Sequence, residues 1–240
     1  MGTKKYSPAW PHSELREIFP NIFFVMGTNI THYNGVDLQH SRNMVIIKNN
    51  HELSLINTVR LTDNGLAALD TLGQVKNVIR IGAFHGRDDD FYLDKYNATL
   101  WSIKGMNTEN DGMANRELLA NGNMPFPACS FFLFETSQFP EGVLHINQEG
   151  GIIITCDSIK NWLSSDEFFS DETAKLYEKQ DFFGSASISN IWKQATQVQR
   201  ADFNQLLTLP FRHLISAHGA PLLNTAHEQL KTSIMKTFID

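Results

Sequence analysis

The first third of the chain carries the pattern of apolar and polar positions that strands show. Asn-Asn and Asn-Gly turn signals separate runs that are rich in β-branched and aromatic residues. A hairpin is expected between the second and third of these runs. The runs, each predicted to form a strand, are 21–28, 43–50 and 52–61.

The spacing of the apolar residues changes over 62–73. The leucines of this segment fall three residues apart, which places them on one face of a helix. Thr62 or Asp63 is the expected N-cap, and Gly73 follows the last turn. The segment therefore predicts a short amphipathic helix, after which 75–84 returns to the strand pattern.

The rest of the chain alternates strands with helices, and its last third is mainly helical. Strands are predicted within 98–105, 130–136, 141–148, 149–158 and 213–217. Helices are predicted within 113–121, 171–180, 187–197, 201–209 and 224–238. No composition break or repeat divides the chain, so we expect one domain over 1–240, with 1–19 as an N-terminal extension. The pattern predicts a mixed α/β fold in which helices cover buried sheets.

Composition and charge exclude several classes of partner. Apolar residues make up 42% and charged residues 19% of the chain, as in an ordinary globular protein. The net charge is −6 and no Lys/Arg cluster is present, so no nucleic-acid partner is expected. No membrane-spanning stretch and no signal peptide are recognisable, which favours a cytoplasmic protein without a membrane partner. The sequence leaves the oligomeric state open.

Cys129 and Cys156 are the two cysteines of the chain. Neither belongs to a C-x-x-C pair, which excludes a zinc ribbon and a thioredoxin-like motif. Two reduced thiols are expected in preference to a disulfide.

Polar residues follow three of the predicted strands. The run 85–90 (HGRDDD) follows one strand, Asp157 ends the most apolar strand, and His218 ends the last strand. Residues just beyond the carboxyl ends of strands converge on one edge of a sheet. His, Asp and His from three loops have the composition of a divalent metal site. Each spot alone is more typical of a turn or a cap, so a metal site and a set of solvated turns are equally supported by the pattern.

The order of these segments resembles that of the metallo-β-lactamase superfamily of metallohydrolases. In that family one strand ends in His-x-His-x-Asp-His, a later strand in Gly-Asp, and a last strand in a Gly-His-Gly-x-Pro-like segment before a C-terminal helix. The corresponding segments are 81–90 (IGAFHGRDDD), 139–157 (FPEGVLHINQEGGIIITCD) and 209–231 (LPFRHLISAHGAPLLNTAHEQLK). The resemblance covers roughly residues 20–236. It implies a four-layer αββα sandwich, with two mixed β-sheets flanked by helices.

The first motif departs from the family pattern. His85 stands at its first His, but Arg87 stands at the second, Asp89 at the Asp and Asp90 at the final His. A guanidinium group has no lone pair to give a metal. We therefore expect Arg87 to place a positive charge where the family's first metal would lie, in a bidentate pair with Asp157.

The second metal position of the family is better preserved than the first. Phe139, or Gln138 depending on the gap, stands at the family's later His, so the first position is expected to be lost. The remaining set is rich in oxygen, which suits Mn or Fe as well as Zn. One divalent ion, or none, is therefore expected. The ligands that the resemblance implies are Asp89, Asp90, Asp157, His218 and His85.

The resemblance implies a metal-dependent hydrolase with a small-molecule substrate. Water acidified by the metal would attack an ester, thioester, lactam or phosphoester. Asp89 is the first candidate to orient or deprotonate that water, and His85 and Arg87 are the other candidate catalytic residues. The alternative is a degenerate, non-catalytic member that binds a small molecule or a protein. An iron-dependent oxidoreductase site in the same fold is a third interpretation.

Two further expectations concern exposed segments. The polar segment 31–43 is interpreted as a loop near the mouth of the cleft, where His32 or Tyr33 contacts the substrate. Asp88 is expected to face solvent, because it would point away from its neighbours in an extended segment.

Overall fold

The structure, a computed structural model, describes residues 6–106 and 115–239. Its strands are β1 (Arg16–Phe19), β2 (Ile22–Tyr33), β3 (Val36–Asn49), β4 (Glu52–Ile56), β5 (Gln74–Arg80), β6 (Thr99–Ser102), β7 (Asn115–Glu117), β8 (Cys129–Leu133), β9 (Gly142–Ile146), β10 (Ile152–Thr155) and β11 (His213–Ser216). Its helices are α1 (Asp63–Leu72), α2 (Asp89–Tyr96), α3 (Asp171–Lys179), α4 (Asn190–Thr196), α5 (Arg200–Leu206) and α6 (Ala226–Thr237).

The strands form two sheets, and both are mixed. The larger sheet runs in the order β1 to β7, antiparallel as far as β4 and parallel from β4 onward. The smaller sheet has the order β11-β10-β9-β8, in which only β10 and β11 are parallel. β1 pairs with β2, so part of the expected N-terminal extension belongs to the larger sheet.

Apolar residues between the two sheets form the central core. Ile56 and Ile79 of the larger sheet belong to one buried cluster with Leu144, Ile154 and Ile215 of the smaller sheet. Such burial is the main favourable contribution to folding, at about 25 cal/mol per Å² of apolar surface.

Helices cover the outer face of each sheet. Leu66 and Leu69 of α1 and Phe91 of α2 pack on the larger sheet. Trp192 of α4 and Leu230 of α6 pack on the smaller sheet. The result is the four-layer αββα sandwich that the resemblance implied. No helix among the described residues is long and apolar enough to cross a membrane.

Helix α1 matches its sequence prediction. It spans Asp63–Leu72, and the hydroxyl of Thr62 accepts a hydrogen bond from the Gly65 N–H. A threonine N-cap of this kind satisfies a backbone donor that the helix itself leaves unpaired.

The predicted loop over 31–43 is wrong, because β2 and β3 form one long hairpin through it. The strands pair up to Tyr33 and Val36, and Asn34 and Gly35 make the two-residue turn with φ of 50° and 80°. Asn-Gly is the favoured pair for such a turn, since both positions need positive φ. Backbone pairing therefore continues through residues whose polar side chains suggested a loop.

The helix predicted over 113–121 is also wrong where the structure describes it. Residues 113 and 114 lie outside the described part of the chain, and Asn115–Glu117 form β7, which pairs in parallel with β6. Hydrogen bonding to the edge of β6 outweighs the helical propensity of this short segment.

The aspartate run begins a helix that the sequence analysis did not predict. Asp89 and Asp90 lie in the first turn of α2, where the helix dipole favours negative charge. The expectation that Asp88 faces solvent is wrong, because its side chain is 4% exposed and pairs with Arg42. A buried cation, rather than water, therefore balances this carboxylate.

Candidate functional site

Three loops bring His85, Asp157 and His218 to the same edge of the sandwich. Asp157 and His218 follow the parallel neighbours β10 and β11, whose carboxyl ends necessarily lie side by side. His85 follows β5 of the opposite sheet. The side chain of Asn57 joins the two sheets here by donating to the Thr155 carbonyl at 3.0 Å.

The polar atoms of these three side chains lie within contact distance of one another. His85 Nε2 is 3.2 Å from His218 Nε2 and 3.4 Å from Asp157 Oδ2. His218 Nε2 is 3.2 Å from Asp157 Oδ1. Ligand atoms that surround a tetrahedral metal at about 2.0–2.1 Å lie about 3.3–3.4 Å apart. Each of the three contacts is close to that spacing, and the two histidines meet different oxygens of Asp157.

Hydrogen bonding orients His218 for metal binding. Its Nδ1 lies 3.2 Å from the Ser41 carbonyl, which can only accept, so Nδ1 carries the proton in the neutral ring. The lone pair of Nε2 then faces the Asp157 carboxylate, which also only accepts. Converging lone pairs repel unless a cation or a proton lies between them.

Burial keeps both histidines neutral and leaves Asp157 ionised. Burial lowers the pKa of His85 to about 3 and that of His218 to about 4, against the opposing charge of Asp157. Burial alone would raise the pKa of Asp157, but opposing contributions, led by the positive charge of Lys160, hold it well below its usual value. Neutral imidazoles and an ionised carboxylate are the protonation states that a metal ion requires.

Lys160, rather than Arg87, supplies the positive charge at Asp157. Lys160 Nζ lies 3.2 Å from Asp157 Oδ1. Arg87 instead donates to the Ile30 carbonyl at 2.9 Å and to Thr31 Oγ1 at 3.0 Å. The expected pair of Arg87 with Asp157 is therefore absent among the described contacts. Lys160 follows Asp157 by three residues in the same loop, and the sequence analysis did not single it out.

The structure does not bring Asp89 and Asp90 to this cluster. The Asp89 carboxylate accepts from Arg80 Nε at 2.7 Å and from Thr58 Oγ1 at 2.5 Å. Both aspartates belong to α2 and neither lines the pocket that contains His85 and His218. Because Asp89 lies in the first turn of α2, its carboxylate bonds to Arg80 and Thr58 and not to the cluster of His85, Asp157 and His218.

Phe139 gives no ligand to the site. Its ring is 42% exposed and packs against Phe84, with 5.1 Å between the ring centroids. The pair forms an apolar border next to His85.

Cys156 contributes a sulfur close to the cluster. Donor atoms of His85, Cys156 and Asp157 lie within 4.8 Å of one another. Burial, with the charges of Asp157 and Glu141, raises the pKa of the Cys156 thiol well above its usual value, so the sulfur is protonated near neutral pH. Cys129 and Cys156 are both free thiols, as expected.

Glu141 was not predicted as a site residue from the sequence, where it is the first residue of the predicted strand 141–148. Its carboxylate is 1% exposed and accepts from the Ser158 N–H and, at 3.0 Å, from Trp192 Nε1. Burial and the charge of Asp157 raise its pKa to about 8. Glu141 thus connects the Asp157 loop to a tryptophan that lines the pocket.

Aromatic rings pack against the imidazole of His218. The rings of Trp162 and His40 lie 4.6 Å and 5.4 Å from the His218 ring. Burial lowers the pKa of His40 to about 4, so it is a neutral wall residue. The sequence analysis placed His40 in a polar loop, and only the pairing of β3 carries it into the site.

The cluster lies in a pocket of about 660 Å³. Such a volume suits a drug-sized molecule. Aromatic and aliphatic side chains from the β2–β3 hairpin, α3 and α4 form its walls, including Leu38, Tyr177 and Trp192. The pocket therefore combines apolar walls with a convergent set of polar donors.

Comparison with known proteins rests on structure. No protein-family model matches the sequence and no curated protein matches it. The fold is similar to that of the metallo-β-lactamase FIM-1 from Pseudomonas aeruginosa in its mono-zinc form, at 13% identity and a TM-score of 0.62, over 97% of this chain and 98% of that one.

Two other solved structures extend the comparison. A metallo-β-lactamase from Erythrobacter litoralis is similar at 13% identity and a TM-score of 0.56, over 92% of each chain. A flavodiiron protein from Giardia intestinalis is similar at 14% identity and a TM-score of 0.65, over 96% of this chain and 60% of that one. Together with the two mixed sheets and their flanking helices, these similarities show that the protein has the metallo-β-lactamase fold.

Proposed function

We propose that the protein is a metal-dependent hydrolase that holds one divalent ion between His85, Asp157 and His218. The observation that carries the proposal is the convergence of His85 Nε2, His218 Nε2 and the two carboxylate oxygens of Asp157 in the pocket, with contacts of 3.2–3.4 Å. Their protonation states and the orientation of His218 by Ser41 also fit an ion. The proposed ligand set differs from the one implied by the sequence, because Asp89 and Asp90 lie elsewhere.

A bound ion would lower the pKa of water and polarise an ester, thioester, lactam or phosphoester group. The side chains around it have separate tasks. Lys160 places a fixed positive charge beside Asp157, where it stabilises negative charge that develops on a substrate. Trp162 and Tyr177 exclude water from the wall of the pocket, which strengthens those interactions.

Two chemical considerations guide the choice of metal. Two imidazoles and one carboxylate suit zinc, iron and manganese. One structurally similar protein is a mono-zinc form and another is a flavodiiron protein, which supports including zinc and iron in the test.

The test measures bound metal by elemental analysis after incubation with Zn²⁺, Mn²⁺ or Fe²⁺ and removal of excess ion. We expect about one equivalent in the wild-type protein and none in the double variant Asp157→Ala, His218→Ala. His213→Ala is the matched control, because His213 lies on β11 and bonds to the Glu149 carbonyl instead of the cluster. The control should keep its metal.

Activity is then measured with esters, thioesters, lactams and phosphodiesters. Hydrolysis that depends on added metal and is absent from the double variant supports the proposal. A wild-type protein that retains none of the three ions contradicts it.

The second candidate is a binding protein without catalysis. It is favoured by the Lys160–Asp157 ion pair, which balances the carboxylate from within the chain. Metal-free wild-type protein that binds small molecules in the pocket would support this candidate.

A further inference from the structure

We propose that the pocket binds a small organic anion with an aromatic or branched apolar body, and that Arg87 holds its anionic group. As a statement about the substrate, this inference rests on the proposed hydrolase. As a statement about binding, it depends only on the chain's own side chains.

Arg87 is held in place by neutral acceptors. Its guanidinium group donates to the Ile30 carbonyl and to Thr31 Oγ1. The Asn29 amide, oriented with its oxygen towards the two guanidinium groups, accepts from Arg87 at 2.8 Å and from Arg42 at 3.1 Å. These three bonds position the group and leave two of the five N–H donors of an arginine for a ligand.

The other cations of the pocket already have a carboxylate partner. Arg42 donates to Asp88 at 3.0 Å, and Lys160 pairs with Asp157 at 3.2 Å. Among the described residues, Arg87 has no ion pair with a carboxylate, although it lines the same pocket. The pocket therefore carries one uncompensated positive charge in a protein whose net charge is −6.

The mouth of the pocket exposes apolar side chains. Tyr33 and Val36 at the end of the hairpin, Phe84 beside His85, and Ile191 of α4 are each about half exposed and line the pocket. Exposed apolar groups that rim a polar site mark a surface on which a ligand packs. A ligand that satisfies both features has an apolar body and a negative charge.

The position of Arg87 relates the anion to the proposed reaction centre. Arg87 follows His85 by two residues, so their Cα atoms lie within about 7 Å of each other. An anionic group on Arg87 would therefore hold the rest of the substrate across the donors of His85, Asp157 and His218.

The test uses two fluorescent dyes of nearly the same shape. Anilinonaphthalenesulfonate has an aromatic body with one negative charge, and N-phenylnaphthylamine has a similar body without charge. Fluorescence titration of chelator-treated protein gives the affinity of each dye. We expect Arg87→Gln and Arg87→Met to lower the affinity for the anionic dye about fivefold, as for a half-exposed charge pair. The affinity for the neutral dye should stay unchanged.

Two variants control for charge and for folding. Arg87→Lys keeps the charge and should recover part of the affinity for the anionic dye. Arg16→Gln removes an exposed arginine of β1 outside the pocket and should change neither affinity. Circular dichroism and thermal unfolding establish that each variant is folded before titration.

Three results would overturn the inference. They are a wild-type protein that binds no anionic dye, Arg87 variants with unchanged affinity for it, and variants in which the affinities for both dyes fall equally.

The metal measurement is independent of the dye assay. Arg87-dependent dye binding in a protein that takes up no metal would defeat the hydrolase but retain the anion site. Metal uptake in a protein whose dye binding does not depend on Arg87 would defeat the anion site but retain the proposed metal site.

Discussion

A pair of buried aspartates and a single buried aspartate lie close to the same edge of the sandwich but differ in their partners. Asp88 and Asp89 face the guanidinium groups of Arg42 and Arg80, at 3.0 Å and 2.7 Å. Asp157 faces one lysine and two histidines that burial keeps neutral. Asp88 and Asp89 lie outside the pocket lining and form ion pairs with arginines, which we call closed ion pairs, whereas Asp157 lines the pocket beside Lys160 and the two histidines.

The comparison teaches that a run of acidic residues does not by itself mark a metal site. The charge of a buried carboxylate with an arginine partner is already balanced, and removing either partner leaves an uncompensated charge. A buried carboxylate beside neutral imidazoles is available to a cation. The Asp88–Asp90 run was the most conspicuous signal in the sequence, yet the isolated Asp157 is the acidic residue of the candidate site.

The largest change in the free energy of unfolding is expected when a closed ion pair is broken. Arg80→Met leaves Asp89, whose side chain is 2% exposed, without its arginine. We expect a loss of about 3–5 kcal/mol in the free energy of unfolding, measured by urea denaturation. Arg16→Met should change stability by no more than about 0.5 kcal/mol. Equal stability of the two variants would mean that Asp89 is not held as a closed pair.

A smaller effect is expected from Glu141, the buried carboxylate behind Asp157 that has no cation partner in the described structure. Its pKa of about 8 exceeds that of the unfolded chain, so the folded protein binds a proton that the unfolded chain releases. Stability should therefore fall as pH rises from 6 to about 8, by on the order of 2 kcal/mol, and then level off.

The variant Glu141→Gln isolates that effect, because the amide does not titrate. Its free energy of unfolding should lack the decline seen in the wild-type protein. The measurement is chemical denaturation at a series of pH values. An unaltered pH profile in the variant would assign the decline to another group.

The smallest effect is expected at Arg87. Its guanidinium group is exposed and bonds to neutral acceptors, so Arg87→Ala should lower the free energy of unfolding by no more than about 0.5 kcal/mol. Thermal unfolding of Arg87→Ala and Arg80→Met, measured side by side, tests this expectation. A loss as large as that of the Arg80 variant would show that Arg87 belongs to the closed ion network.

Local pattern in the sequence determined much of the fold. The threonine cap and the spacing of the leucines predicted α1 to within one residue of its observed start. Apolar runs located the strands that precede His85, Asp157 and His218, and the loops that carry these residues do meet at one edge. Such features depend on residues a few positions apart, which is why a single sequence reveals them.

Tertiary structure alone decided which charges pair. Arg42 lies 46 positions from Asp88, and Thr58 lies 31 positions from Asp89. Packing between such distant segments decides whether a buried carboxylate forms an ion pair with an arginine or lies beside neutral histidines. The same packing buries Glu141 behind the Asp157 loop and extends the β2–β3 hairpin over the pocket. Residue spacing along the chain carries no record of these contacts, because burial and ion pairing are properties of the folded sandwich.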